Sequence, residues 1–104
     1  MSNVDWRYDL ESLASGRLDK TRAEEVRARL AQSDDPSLFA ELVRLATDPA
    51  TPGTFARESG GLIGRMLWRQ GRLEEAPLAD FTTAGYQGFN DAADVVVPPE
   101  KRGG

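Results

Sequence analysis

The chain contains no cysteine and no histidine. Without cysteine there is no disulfide framework, no thiolate metal site and no thiol nucleophile. Without histidine the commonest general base and the commonest neutral metal ligand are missing, which excludes a His-based hydrolase triad and the usual zinc sites. Lysine is scarce as well: eleven of the thirteen basic residues are arginine, the exceptions being Lys20 and Lys101. No basic run exists, and a net charge of −4 speaks against nucleic acid, whose recognition needs a concentrated cationic surface. Long apolar runs are also lacking. The longest candidate, residues 62–68, is interrupted by Gly64 and Arg65 and falls far short of a bilayer span. The opening MSNVDWRYDLESL lacks the basic start and continuous apolar core of a signal peptide. The expectation is a soluble, cytoplasmic protein with no membrane partner and no cofactor.

What is present fits an all-α domain. A chain of 104 residues, 39% hydrophobic and 29% charged, allows one domain with a modest core. The pattern predicts about five helices over residues 1–97 and a flexible tail over 98–104, where Pro98-Pro99 begins a polar end. Helix 1 is expected over residues 4–15, capped by Asn3 and stopped at Gly16. Trp6, Leu10, Leu13 and Ala14 share one face, and Tyr8 points away. Helix 2 is expected from Thr21, which with Glu24 fits a capping box. Its apolar stripe, Ala23, Val26 and Leu30, is thin, which places it at the edge of the domain. Helix 3 starts with Asp35 as cap and Pro36 at the first helical position, and stops at Asp48-Pro49. Leu38, Phe39, Leu42, Val43, Leu45 and Ala46 form its broad apolar face.

The most informative stretch is residues 51–71. It reads as a helix capped by Thr51, begun at Pro52 and ended at Gly71. Phe55, Ser59, Leu62, Ile63, Met66, Leu67 and Gln70 make one stripe at helical spacing. Gly60, Gly61, Gly64 and Trp68 make a second. Each glycine inside a helix costs about 1 kcal/mol relative to alanine, so three together imply close approach of another backbone. Helix 5 is expected from Thr82 or Thr83 to about residue 95, with Gly85, Gly88, Phe89, Ala92, Ala93 and Val96 on or beside one face. Its propensity is poor, so docking must hold it. The expectation is that this small-residue face meets Gly60, Gly61 and Gly64, with helix 4 central and covered on both sides. No strand pattern is present; residues 95–97 form too short a β-branched run for a sheet.

Several groups carry chemistry, each beside a plainer reading. The glycine face with Trp68 is either internal packing or a partner groove centred on a large aromatic. Arg57, Arg65, Arg69 and Arg72 are either an anion grip or a solvated flank paired with Glu58, Glu74 and Glu75, and the second is favoured. Asp91 and Asp94 stand one turn apart, yet no EF-hand spacing or third ligand accompanies them, so neither metal site nor acid–base pair is expected. No nucleophile elbow, P-loop or glycine-rich phosphate turn exists. Gly103-Gly104 matches the diglycine end of ubiquitin-like modifiers, but the rest of the chain lacks their alternating strands. The candidate partner-binding residues are Tyr8, Trp68, Glu74, Glu75, Asp80, Phe81, Asp91 and Asp94, with no catalytic, cofactor or metal residue assigned.

Residues 21–71 resemble HEAT-type helical pairs, through Leu42-Val-Arg-Leu-Ala-Thr-Asp-Pro49 followed by Pro52 opening a second amphipathic helix. The stretch holds at most one and a half repeats, fewer than a solenoid needs, so the resemblance implies a compact bundle with HEAT-like antiparallel pairs and protein binding. The profile also resembles small bacterial immunity proteins and antitoxins, which are short, acidic and helical. That resemblance implies occlusion of a basic toxin domain. The alternative is a small regulatory or accessory subunit, or a homodimer, using an apolar patch around Trp68.

Overall fold

The computed structural model describes residues 6–96, with side chains as far as residue 94. Among these, five α-helices follow one another: α1 (Trp6–Ser15), α2 (Lys20–Ala31), α3 (Pro36–Thr47), α4 (Gly53–Arg69) and α5 (Thr83–Val96), with a short 3-10 turn at Leu73–Glu75. The expected cap at Asn3, the side chain of Val96, the tail over 98–104 and its diglycine end lie outside the described residues. The all-α class and the central placement of helix 4 are both realised, since α4 packs against each of the other four helices.

Local chemistry sets the boundaries. Asp35 caps α3, its carboxylate accepting the Ser37 amide at 2.9 Å with Pro36 at the start of the helix. Gly71 adopts a left-handed φ of 70°. This lets the Arg72 amide reach Leu67 O at 2.7 Å and the Gly71 amide reach Trp68 O at 3.1 Å, the Schellman arrangement that satisfies the last carbonyls of a helix. Two expected caps differ. Asp19, not Thr21, caps α2, accepting the Arg22 amide at 2.8 Å; the carboxylate two residues earlier is the stronger acceptor, and Thr21 falls inside the helix. In α4, Pro52 occupies the cap position and Gly53 begins the helix without any side-chain cap. Thr51 therefore does not serve, and Gln70 becomes the C-terminal cap.

The core is built on one face of α4. Leu62, Ile63, Met66 and Leu67 meet Leu38, Leu42 and Ala46 of α3, Leu10 and Leu13 of α1, and Ala23, Val26, Leu30 and Ala31 of α2. Phe39, Val43 and Leu45, expected on the α3 core face, are only partly buried around it. Ser59 is fully buried, and its hydroxyl meets no hydrogen-bond partner among the described residues. A buried unsatisfied hydroxyl costs roughly 1–3 kcal/mol. Ser59→Ala is therefore expected to stabilise the domain by about 1 kcal/mol, read as a higher denaturation midpoint. A lower midpoint would show that the hydroxyl is satisfied.

The opposite face of α4 is its glycine row, and α5 lies on it as expected. A methyl group built on Gly60 would fall on the carbonyl of Gly85, and one on Gly88 would fall on the carbonyl of Arg57. On Gly61 it would stand 3.3 Å from Gly88 O, and on Gly64 3.2 Å from the Phe89 ring. Gly85 in turn faces the carbonyl of Ala46 at the end of α3. That carbonyl accepts from the Thr82 amide at 2.9 Å and from the Thr82 hydroxyl at 3.2 Å. The same hydroxyl accepts the Gly85 amide at 3.1 Å. One threonine thus caps α5 and satisfies a terminal carbonyl of α3.

Candidate functional site

The arginine row of α4 lies largely at the surface, as expected of a flank, but apart from Arg72 its partners sit on other elements rather than along the row, which corrects the expected pairing. Arg65 grips Glu24 of α2 through two bonds of 2.8 and 3.1 Å. Arg69 donates to Ala31 O at 2.9 Å and to Asp34 at 2.7 Å, closing the end of α2. Arg57 reaches Asp91 of α5 at 3.1 Å. Glu58, expected to pair along the row, instead receives Arg27 of α2 through bonds of 3.0 and 2.8 Å. This half-buried pair holds the Arg27 guanidinium above its ordinary pKa, through the Glu58 hydrogen bond. Bidentate pairs of this kind are the stronger class of ion pair. They give α2, with its thin apolar stripe, a second attachment to α4. The cleft between α2 and α5 is accordingly lined by arginines and carboxylates already matched to one another, Arg27, Arg57 and Arg65 with Glu24, Glu58 and Asp91.

Of the local pairs expected, Arg72 with Glu75 is present at 2.8 Å. The Arg72 hydrogen bond holds the Glu75 carboxyl below its ordinary pKa. A carboxyl lowered on folding adds stability that is present above its unfolded pKa and is lost as pH falls through the folded one. In Arg72→Ala, NMR titration should return the Glu75 midpoint to the ordinary glutamate range. An unchanged midpoint would remove Arg72 as the cause.

The predicted partner-binding residues scatter over three helices, the 3-10 turn and the loop before α5. Tyr8 is exposed on α1, and Trp68 is 36% exposed near the end of α4. Glu74 and Glu75 are exposed on the 3-10 turn, Asp80 on the loop, and Asp91 and Asp94 on α5. Phe81 is only half-exposed, packed against the core and against Phe89 with ring centroids 5.5 Å apart. The glycine face beside Trp68 is covered by α5, so the partner-groove reading of those glycines gives way to internal packing.

Two surface residues were not among those predicted. Leu78 is 52% and Tyr86 45% exposed, and with Ala79, Phe81, Thr82 and Thr83 they line one open concavity. Leu78 follows Pro77 in a loop without periodicity, so no pattern marks it. Tyr86 directly follows Gly85, which turns it off the packed face of α5; that offset is the signal that points to it.

Charge is segregated along the same stretch of sequence, although Arg57 reaches Asp91 and Arg72 reaches Glu75 from outside it. Residues 73–96 hold five acids, Glu74, Glu75, Asp80, Asp91 and Asp94, and no lysine or arginine. The exposed side of α5 reads Thr83, Tyr86, Gln87, Asn90, Asp91, Asp94. Among the described residues no three acids gather to hold a metal ion, and no helix is long and apolar enough to cross a membrane. No family model, no curated protein and no solved structure matches the chain.

Proposed function

We propose that this chain is a non-catalytic protein-binding module, most concretely an immunity protein that covers the basic surface of a partner toxin. The supporting observation is the acidic segment over residues 73–96, free of any basic residue, whose exposed α5 side carries tyrosine, amides and carboxylates. Such a face steers cationic partners and repels acidic ones. Its rigid backing is the α4–α5 contact, so the carboxylates are presented in a fixed array.

The test begins with capture of the tagged protein's partner from its native lysate, followed by association kinetics on the purified pair. The association rate should fall at least about tenfold from low to high salt. A double reversal, Asp91→Lys with Asp94→Lys, should lower it comparably at low salt while leaving the dissociation rate nearly unchanged. Salt-independent association would sink the acidic-face reading. The second reading, an accessory subunit or homodimer joined through Trp68, draws on the partial exposure of that indole. Sedimentation at a dimer mass, lost in Trp68→Ser, would establish it instead.

A further inference from the structure

The concavity at the head of α5 has a composition and a hydrogen-bonded frame that the acidic-face reading does not use. Among the described residues the exposed large hydrophobics are Tyr8, Trp68, Leu78 and Tyr86, and two of these four line this single depression with Phe81 as its half-buried base. The walls are fixed by hydrogen bonds. The Leu78 amide donates to Ala76 O at 2.8 Å and the Asp80 amide to Pro77 O at 3.0 Å, which folds the loop. The Tyr86 amide donates to Thr82 O at 2.8 Å, and Thr82 is itself bonded to the end of α3. A shallow, mainly apolar depression braced in this way costs less to order on binding than an unbraced loop would.

We infer that this hollow is a socket for a cationic side chain of a protein partner, an arginine or lysine whose aliphatic stem lies on Leu78, Phe81 and Tyr86 and whose charge is met by Asp80. The inference rests on the protein-binding reading above and adds the anchor point. Three observations select this occupant. Asp80 is exposed at the edge of the lining, outside it but next in the chain to two lining residues, Ala79 and Phe81. No lysine or arginine lies within residues 73–96 to fill the site from its own segment. The tyrosine ring face attracts cations, and the long stems of lysine and arginine cover apolar surface while keeping their charge in water. A second copy packed through the same face would set acids against acids, so self-pairing is disfavoured.

The probe is a short labelled peptide of arginine, leucine and glycine, beside a counterpart with glutamate in place of arginine, titrated into the intact chain by anisotropy and by 15N chemical-shift mapping. The arginine peptide should bind saturably, with shifts centred on residues 78–86, and the glutamate peptide should not. Tyr86→Ser should weaken binding by about tenfold, Leu78→Ser by several-fold, and Asp80→Asn should reduce the salt dependence. All three positions are surface ones, and unchanged melting temperatures verify that the variants fold. Shifts confined to Asp91 and Asp94, or affinity indifferent to Tyr86→Ser and Leu78→Ser, overturn the socket while leaving the acidic face intact. Equal binding of the glutamate peptide, or no saturable binding, overturns it as well. Failure of the protein-binding reading is seen separately, in the captured-partner kinetics.

Discussion

Replacing Gly60 or Gly88 by alanine is expected to destabilise the domain by about 2 kcal/mol or more, because each new methyl falls on a backbone carbonyl of the facing helix. Alanine would ordinarily gain about 1 kcal/mol over glycine inside a helix, so the sign of the change decides whether the packing is as described. A flexible side chain in the way would swing aside at little cost. A carbonyl belonging to Gly85 or Arg57 cannot move unless its helix moves, and separating α4 from α5 gives up contacts along the whole seam. The loss corresponds to a fall in melting temperature of roughly 8 to 16 °C. Gly53→Ala is the internal control: it lies at the start of α4 with no atom within 4 Å of the added methyl. It should be neutral or stabilising by up to about 1 kcal/mol. Denaturant midpoints for the three variants check the prediction. Wild-type stability in Gly60→Ala and Gly88→Ala would mean the two helices are not in backbone contact.

The same glycines show what could be read in advance. Gly60, Gly61 and Gly64 recur at helical spacing on α4, and Gly85 and Gly88 on α5, so the cost of helical glycine pointed to one helix resting on the other before any coordinates. The stop at Asp48 and the cap at Asp35 are likewise local and were legible. What the spacing did not give was the distant partner of each charged side chain. Arg65 binds Glu24, 41 residues away, and Arg69 binds Asp34, 35 residues away; charge spacing along α4 gives no hint of either, and points instead to nearby acids such as Glu58. At α2 the error was a choice between two good caps two residues apart. The candidate site was legible in charge but not in shape. The acids of residues 73–96 stand plainly in the sequence. The exposure of Leu78 depends on a loop fold that carries no period, and Phe81, expected among the partner-binding residues, is a half-buried floor rather than a protruding knob.

Ile63→Ala is expected to cost about 2–5 kcal/mol, a large share of the roughly 5–15 kcal/mol that holds a domain of ordinary stability. Ile63 is fully buried on the α4 face where α1, α2 and α3 converge, so the cavity left by truncation is walled by elements with little freedom to collapse. α2 and the connection that leads from it into α3 are fastened to α4 by Arg27–Glu58, Arg65–Glu24 and Arg69–Asp34. Those pairs resist the inward shift that would fill the void, which places the expected cost in the upper part of the range. Ile63→Val removes a single methylene and should cost only about 0.5–1.5 kcal/mol. Equilibrium denaturation separates the two, and near-equal losses would show that the site relaxes around a truncated side chain. The comparison also bears on function. The proposed binding face lies on α5 and its loop, away from Ile63, so Ile63→Val should bind a cationic partner as wild type does. If a methylene lost beneath α4 weakened that binding, the face would depend on how α4 carries α5, and the carboxylates would act as an array set by the core rather than as independent charges.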